Sequence, residues 1–136
     1  MFDPANVPAV SNDELLTRFI VASSHFRPAN NTVKPDAFIP HPRSELSLTR
    51  LLEATDDEIW MEGERVATIR SKTLYGRADV TVEAFQVVEL CVIAKPIHEN
   101  PNHADAINWP AEKSAQKMKA LEIAARSTYL KKQNKS

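Results

Sequence analysis

An α+β domain, a small antiparallel sheet with about three helices packed on one face, is the fold class this sequence predicts. Three observations carry it. Thr55-Asp56-Asp57-Glu58 has the form of a capping box that opens a helix. Residues 78–83 and 87–93 alternate or are rich in β-branched residues, as strands are. Residues 111–130 are nearly all good helix formers. Strands and helices arranged as α, irregular, β, α, β, β, α fit helices layered on a sheet.

Taken in order, residues 1–11 carry Pro4 and Pro8 without periodicity and read as an extended arm, loose or laid across the surface. Asn12 is a good N-cap, acids follow it, and Leu15, Leu16, Phe19 and Ile20 share a helical face, which predicts a first helix of about three turns. Residues 23–43 hold Pro28, Pro35, Pro40 and Pro42 and form a long irregular segment, in which Ala37-Phe38-Ile39 is pinned to the core. Leu46-Ser47-Leu48-Thr49 alternates like a short strand.

From Thr55, the spacing of Ile59, Gly63, Val66, Ala67 and Arg70 predicts a helix that lays one stripe on the core, with Trp60 beside it. After Tyr75-Gly76 come two strands, over 78–83 and 87–93, expected to be antiparallel neighbours. Residues 98–103 read as a polar loop. Pro110 then opens the longest helix, over 111–130, with Ala115, Met118, Leu121, Ala125 and Tyr129 as its core stripe. This divides the chain into an arm (1–11), one α+β domain (12–130) and a frayed basic tail (131–136).

A chain of 136 residues, 43% hydrophobic and 26% charged, can bury a core without staples. Its single cysteine, Cys91, rules out a disulfide framework and is expected to be buried and inert. Neither a signal peptide nor a membrane-spanning run is legible, so a cytosolic protein is expected, with no membrane partner. Gly63 and Gly76 are the only glycines, which excludes glycine-rich phosphate loops and dinucleotide fingerprints. A net charge of −1 argues against a general nucleic-acid coat. The charge is uneven, however. Glu53, Asp56, Asp57, Glu58, Glu62 and Glu64 make one segment acidic, and Lys113, Lys117, Lys119, Arg126, Lys131, Lys132 and Lys135 make the last one basic.

The chemistry-bearing candidates lie in the irregular segments. Arg27, Arg43 and Arg77 are suited to gripping an anion such as a phosphate or carboxylate, and His41 or His103 to acting as general acid or base. His98, His103 and Asp105 do not have a trusted metal-ligand spacing, and no metal or cofactor is expected. Phe19, Phe38 and Phe85 read as core, whereas Phe26, Tyr75 and Trp109 are candidates for exposure. With no intact catalytic motif, the leading expectation is a non-catalytic accessory domain of a bacterial-type system. It would bind a protein partner or RNA through Lys113, Lys117, Lys119 and Arg126 and the Arg/His loops. The alternatives are a small enzyme acting on a phosphate-bearing nucleotide or NAD-like substrate, and an antitoxin or inhibitor of a co-encoded toxin.

Overall fold

The structure, a computed structural model, describes residues 1–40 and 45–133. It is built on a six-stranded, wholly antiparallel sheet and a two-stranded hairpin, with three α-helices. The strands are β1 (Leu15–Ile20), β2 (Phe26–Arg27), β3 (Thr32–Val33), β4 (Leu46–Arg50), β5 (Gly76–Thr81), β6 (Cys91–Ala94), β7 (His103–Ile107) and β8 (Thr128–Lys131). The helices are α1 (Asp56–Ile69), α2 (Val82–Gln86) and α3 (Lys113–Arg126). The main sheet runs β6-β7-β4-β1-β5-β8, and β2 pairs with β3. The α+β class and the antiparallel sheet agree with the sequence.

Leu15–Ile20 is a strand in place of the helix its apolar spacing predicts. It lies between β4 and β5, so Leu16 and Ile20 are buried on one face while Thr17 is buried on the other. A strand covered on both faces is apolar almost throughout, and that pattern cannot be told from a short helix by spacing alone.

The register divides the sheet into two unlike faces. Leu16, Ile20, Leu46, Leu48, Ala78, Val80, Ala104 and Ala106 point to the main core, with Phe38 and Phe85 packed edge to face upon it. Helices α2 and α3 cover this face together with a 3₁₀ turn at Pro35–Phe38, which packs on α3. The opposite face carries Thr17, Ser47, Thr49, Arg77, Asp79, His103 and Asp105, and α1 crosses it. The helices therefore divide between the faces, two on the apolar side and one on the polar side.

The capping box is present as read: the Thr55 side chain accepts from the Glu58 amide and Glu58 reaches back. Ile59, Gly63 and Ala67 of the expected stripe are buried. Gly63 lets α1 lie close to β1: a Cβ there would stand 2.9 Å from the Phe19 ring.

Other expectations are corrected. Residues 82–86 coil into α2, which ends the first strand at Thr81, and a turn over 87–89 shortens the second to β6. That strand lies at the far edge, separated from β5 by β7, β4 and β1. His103 is not in a loop but opens β7. The last helix ends at Arg126, making it no longer than α1 at 14 residues, and Tyr129 belongs to β8. Its core stripe is Gln116, Ala120, Ile123 and Ala124, whereas Met118 and Leu121 face solvent. Small alanines let α3 sit close to the Pro35–Phe38 turn, and this rotates its long apolar side chains outward.

Cys91 is exposed, because the edge strand turns it to the uncovered side. Trp109, expected at the surface, is buried and donates its indole N–H to Ala106 O at 3.0 Å. Phe26 and Tyr75 are partly buried against the core, and Phe26 stacks on Tyr129.

The N-terminal arm is tied down by Arg50, which is fully buried. Its guanidinium pairs with Glu14 and donates to Pro8 O at 2.6 Å and Ala9 O at 3.2 Å. It also lies 4.4 Å from the centre of the Phe2 ring, whose own amide donates to Asn102 Oδ1. At the other end of the chain, Lys132 pairs with Glu64 of α1, one point where the acidic and basic segments meet.

Candidate functional site

Only two register pairs, Leu16 with Arg50 and Thr17 with Thr49, join β1 to β4. Beyond them the strands splay, and Arg18 fills the split. Its Nε donates to Ala37 O at 2.9 Å and its Nη1 to Ser47 O at 3.0 Å. Because both partners are carbonyl oxygens, its positive charge is solvated but not neutralised.

Arg70 stands at the C-terminal end of α1, where the negative end of the helix dipole favours a cation. It makes no ion pair among the described residues. Burial, and then the nearby Arg70 guanidinium, push the Arg18 pKa down from its ordinary value to about 10. His25, half-buried on the same side, is held below its usual 6.5 by burial and by Arg18, against an opposing pull from Asp36. Three basic side chains from β1, the 3₁₀ turn after it and the end of α1 are thus held in one neighbourhood.

These groups border two adjoining spaces that share Arg18, Ser47 and Arg70 as a common wall. The outer one, a bay of about 610 Å³, is rimmed by His25, Asp36 and Glu45. The inner one, a half-open chamber of about 200 Å³ under α1, is walled by Phe19, Val66, Ile69 and Ile97. Its polar side chains are largely engaged within the fold. Glu62 is bound to Arg65, Thr49 Oγ1 accepts from Asn100, and His103 Nδ1 faces Lys95 O at 2.9 Å.

The residues singled out from sequence are scattered. Arg27 lies in the hairpin, donating to Thr32 Oγ1 and Val33 O. Arg77 is buried under Trp60, 5.0 Å from the ring centre, beside Asp56 and Asp79. Burial pushes the Asp79 carboxyl up, opposed by Thr17 and Arg77. Neither arginine borders the cleft; His103 does, but its Nε2 turns toward Asp105 at 3.7 Å. Both ring nitrogens thus face acceptors, and neither is placed as a free base. His41 and Arg43 lie outside the described residues.

Of the partner-binding candidates, Lys113 and Lys117 are exposed, Lys119 donates to Val88 O and Arg126 pairs with Glu122 at 3.0 Å. Sequence reasoning missed Arg18 and Arg70. The available signal was the position of Arg18, an arginine inside the apolar run Leu15–Ile20, where a charge needs a reason.

The fold and this site define an α+β domain with a cleft bordered by Arg18 and Arg70 beside a helix that crosses the polar face of its sheet. Set against known proteins, the chain matches no family model, no curated protein and no solved structure. Among the described residues, no helix is long and apolar enough to cross a membrane.

Proposed function

We propose that this domain binds a small anionic ligand, carrying a carboxylate or phosphate group, in the cleft between the end of α1 and the split of β1 and β4. The observation that carries the reading is the pairing of Arg18 with Arg70. The partly buried Arg18 and the exposed Arg70 border the same two spaces, and Arg18 is bonded only to carbonyl oxygens among the described residues. Bringing like charges together costs free energy that an anion placed between them returns, and guanidinium forks suit carboxylate and phosphate oxygens. Perturbed ionisable groups beside a cleft are a recognised mark of a binding site.

The test is calorimetric titration of sulfate, phosphate and acetate into the wild-type domain and into Arg18→Met and Arg70→Met. Saturable binding that either substitution weakens by tenfold or more supports the reading. Equal behaviour of all three proteins overturns it.

A second reading, docking of a protein partner or RNA on α3, is favoured by one observation: Met118 and Leu121 are 74% and 57% exposed beside Lys113 and Lys117. An antitoxin or inhibitor could use the same surface. Lys113→Glu with Lys117→Glu tests it without disturbing Lys119, which is bonded into the fold. A partner retained by that double variant would remove this reading.

A further inference from the structure

Resting on the anion-binding reading, we infer that the ligand has two parts: a carboxylate head held by Arg18 and Arg70, and an apolar body of phenyl or short acyl size seated in the inner chamber. The two spaces differ in what they leave unsatisfied. At their common wall Arg18 and Arg70 present positive charge, which calls for an anion. In the chamber the carboxylate of Glu62, the hydroxyl of Thr49 and Nδ1 of His103 already have partners, so what remains open to a guest is the surface of Phe19, Val66, Ile69 and Ile97. Predominantly apolar walls with a few convergent polar groups at one end are the usual make-up of a small-molecule site.

Size narrows the class. A volume near 200 Å³ corresponds to about seven waters, enough for a body of about six to eight carbon atoms. Inorganic phosphate would occupy the charged wall and leave the chamber unused. A carboxylate also suits the wall better than a phosphate dianion, because Glu45 and Asp36 on the rim repel a second negative charge.

The experiment is a titration series on the unaltered domain: acetate, butyrate, hexanoate, phenylacetate, the uncharged hexanol, and inorganic phosphate. Each methylene that enters the chamber is worth about fourfold in affinity. Hexanoate and phenylacetate are therefore expected to bind at least tenfold more tightly than acetate, and hexanol far more weakly than hexanoate. Val66→Trp, which fills the chamber, should abolish the gain with chain length while acetate still binds. Ile97→Trp, at a partly exposed position on the chamber wall, is a second filling variant should α1 not tolerate the first.

Affinity that does not change from acetate to hexanoate overturns the two-part ligand but leaves anion binding standing. Failure of every anion, phosphate included, overturns the underlying reading. Hexanol binding as well as hexanoate would show that the arginines do not hold the head, and would overturn both.

Discussion

Replacing Arg50 by alanine should nearly unfold this domain, although Arg50 is remote from the cleft. The side chain is fully buried and pairs with Glu14, itself 6% exposed. Removing the guanidinium leaves a buried carboxylate without its counter-charge, which costs about 3–5 kcal/mol. The contact with the Phe2 ring adds about 1 kcal/mol, and the carbonyls of Pro8 and Ala9 lose their donors. A loss of about 4–6 kcal/mol is a large share of the roughly 5–15 kcal/mol that holds a domain folded. It corresponds to a fall in Tm on the order of 10–20 °C.

The companion variant separates charge from packing. Glu14→Gln with Arg50→Met removes both charges and keeps the volume, and should return to within about 2 kcal/mol of the wild type, since a buried pair is worth little against well-packed neutral groups. Urea unfolding of the wild type, Glu14→Gln, Arg50→Met and the double variant gives the cycle, and limited proteolysis of Arg50→Ala reads whether the arm is released. An Arg50→Ala protein that loses less than about 1.5 kcal/mol, or keeps its arm protected, would refute the claim that this pair is the clamp.

Other outcomes follow from particular contacts. Gly76→Ala places a Cβ 2.5 Å from Leu130 O, a backbone atom that cannot yield without disturbing the β5–β8 ladder, so thermal melts should show a loss of at least 2–3 kcal/mol, roughly the upper range for overpacking. Gly63→Ala meets only side-chain atoms of Phe19 and Leu74 at 2.9–3.0 Å, and the ~1 kcal/mol gained in helix propensity should offset most of the clash. On α3, Ile123→Ala should cost about 2–5 kcal/mol in chemical denaturation, whereas Leu121→Ala, on the solvent side, should stay within about 0.5 kcal/mol of the wild type.

For His25 the depressed folded pKa means that the unfolded chain takes up the proton first. Stability is therefore undiminished above about pH 6.5 and is lost as pH falls through the lower folded value. A bound sulfate, which does not titrate in this range, would offset the repulsion from Arg18 and favour protonated His25. Its affinity should tighten by less than about tenfold as pH is lowered from neutrality toward 5.5, with Asp36 and Glu45 as the other ionisable groups on that rim. His25→Asn should make calorimetric sulfate binding independent of pH over that range.

What could be read from sequence was what is decided locally. The Thr55 capping box is set by four consecutive residues, and the alternation of Leu46-Ser47-Leu48-Thr49 marks β4 because that strand has one apolar and one polar face. Leu15–Ile20 was ambiguous because its neighbours come from residues 46–50 and 76–81, and no local pattern records that both sides are occupied. On α3 the alanines are what the core needs, so hydrophobicity pointed to Met118 and Leu121 and gave a stripe on the wrong side.

The cleft shows the same limit. Arg27 and Arg77 stood out because they lie in polar, turn-like surroundings, but such arginines find partners nearby: Thr32 and Val33 O for the first, Asp56 and Asp79 for the second. Arg18 and Arg70 were hidden in segments that read as structural, one in a strand and one at a helix end. An arginine in an apolar strand must be solvated by the fold, and carbonyl oxygens can do that without cancelling its charge. That difference between solvation and neutralisation gives the cleft its field. It depends on β1 and β4 parting after two register pairs, a feature of the fold rather than of either strand's sequence. If the split is what exposes the charge, closing it should abolish anion binding even with both arginines present. A disulfide joining Phe19→Cys to Ser47→Cys, which the continued register would set opposite each other on one face, is expected to lower sulfate affinity in the oxidised protein and restore it on reduction. Unchanged affinity in both redox states, with the bridge verified by mass, would mean that the two arginines bind anions without the split.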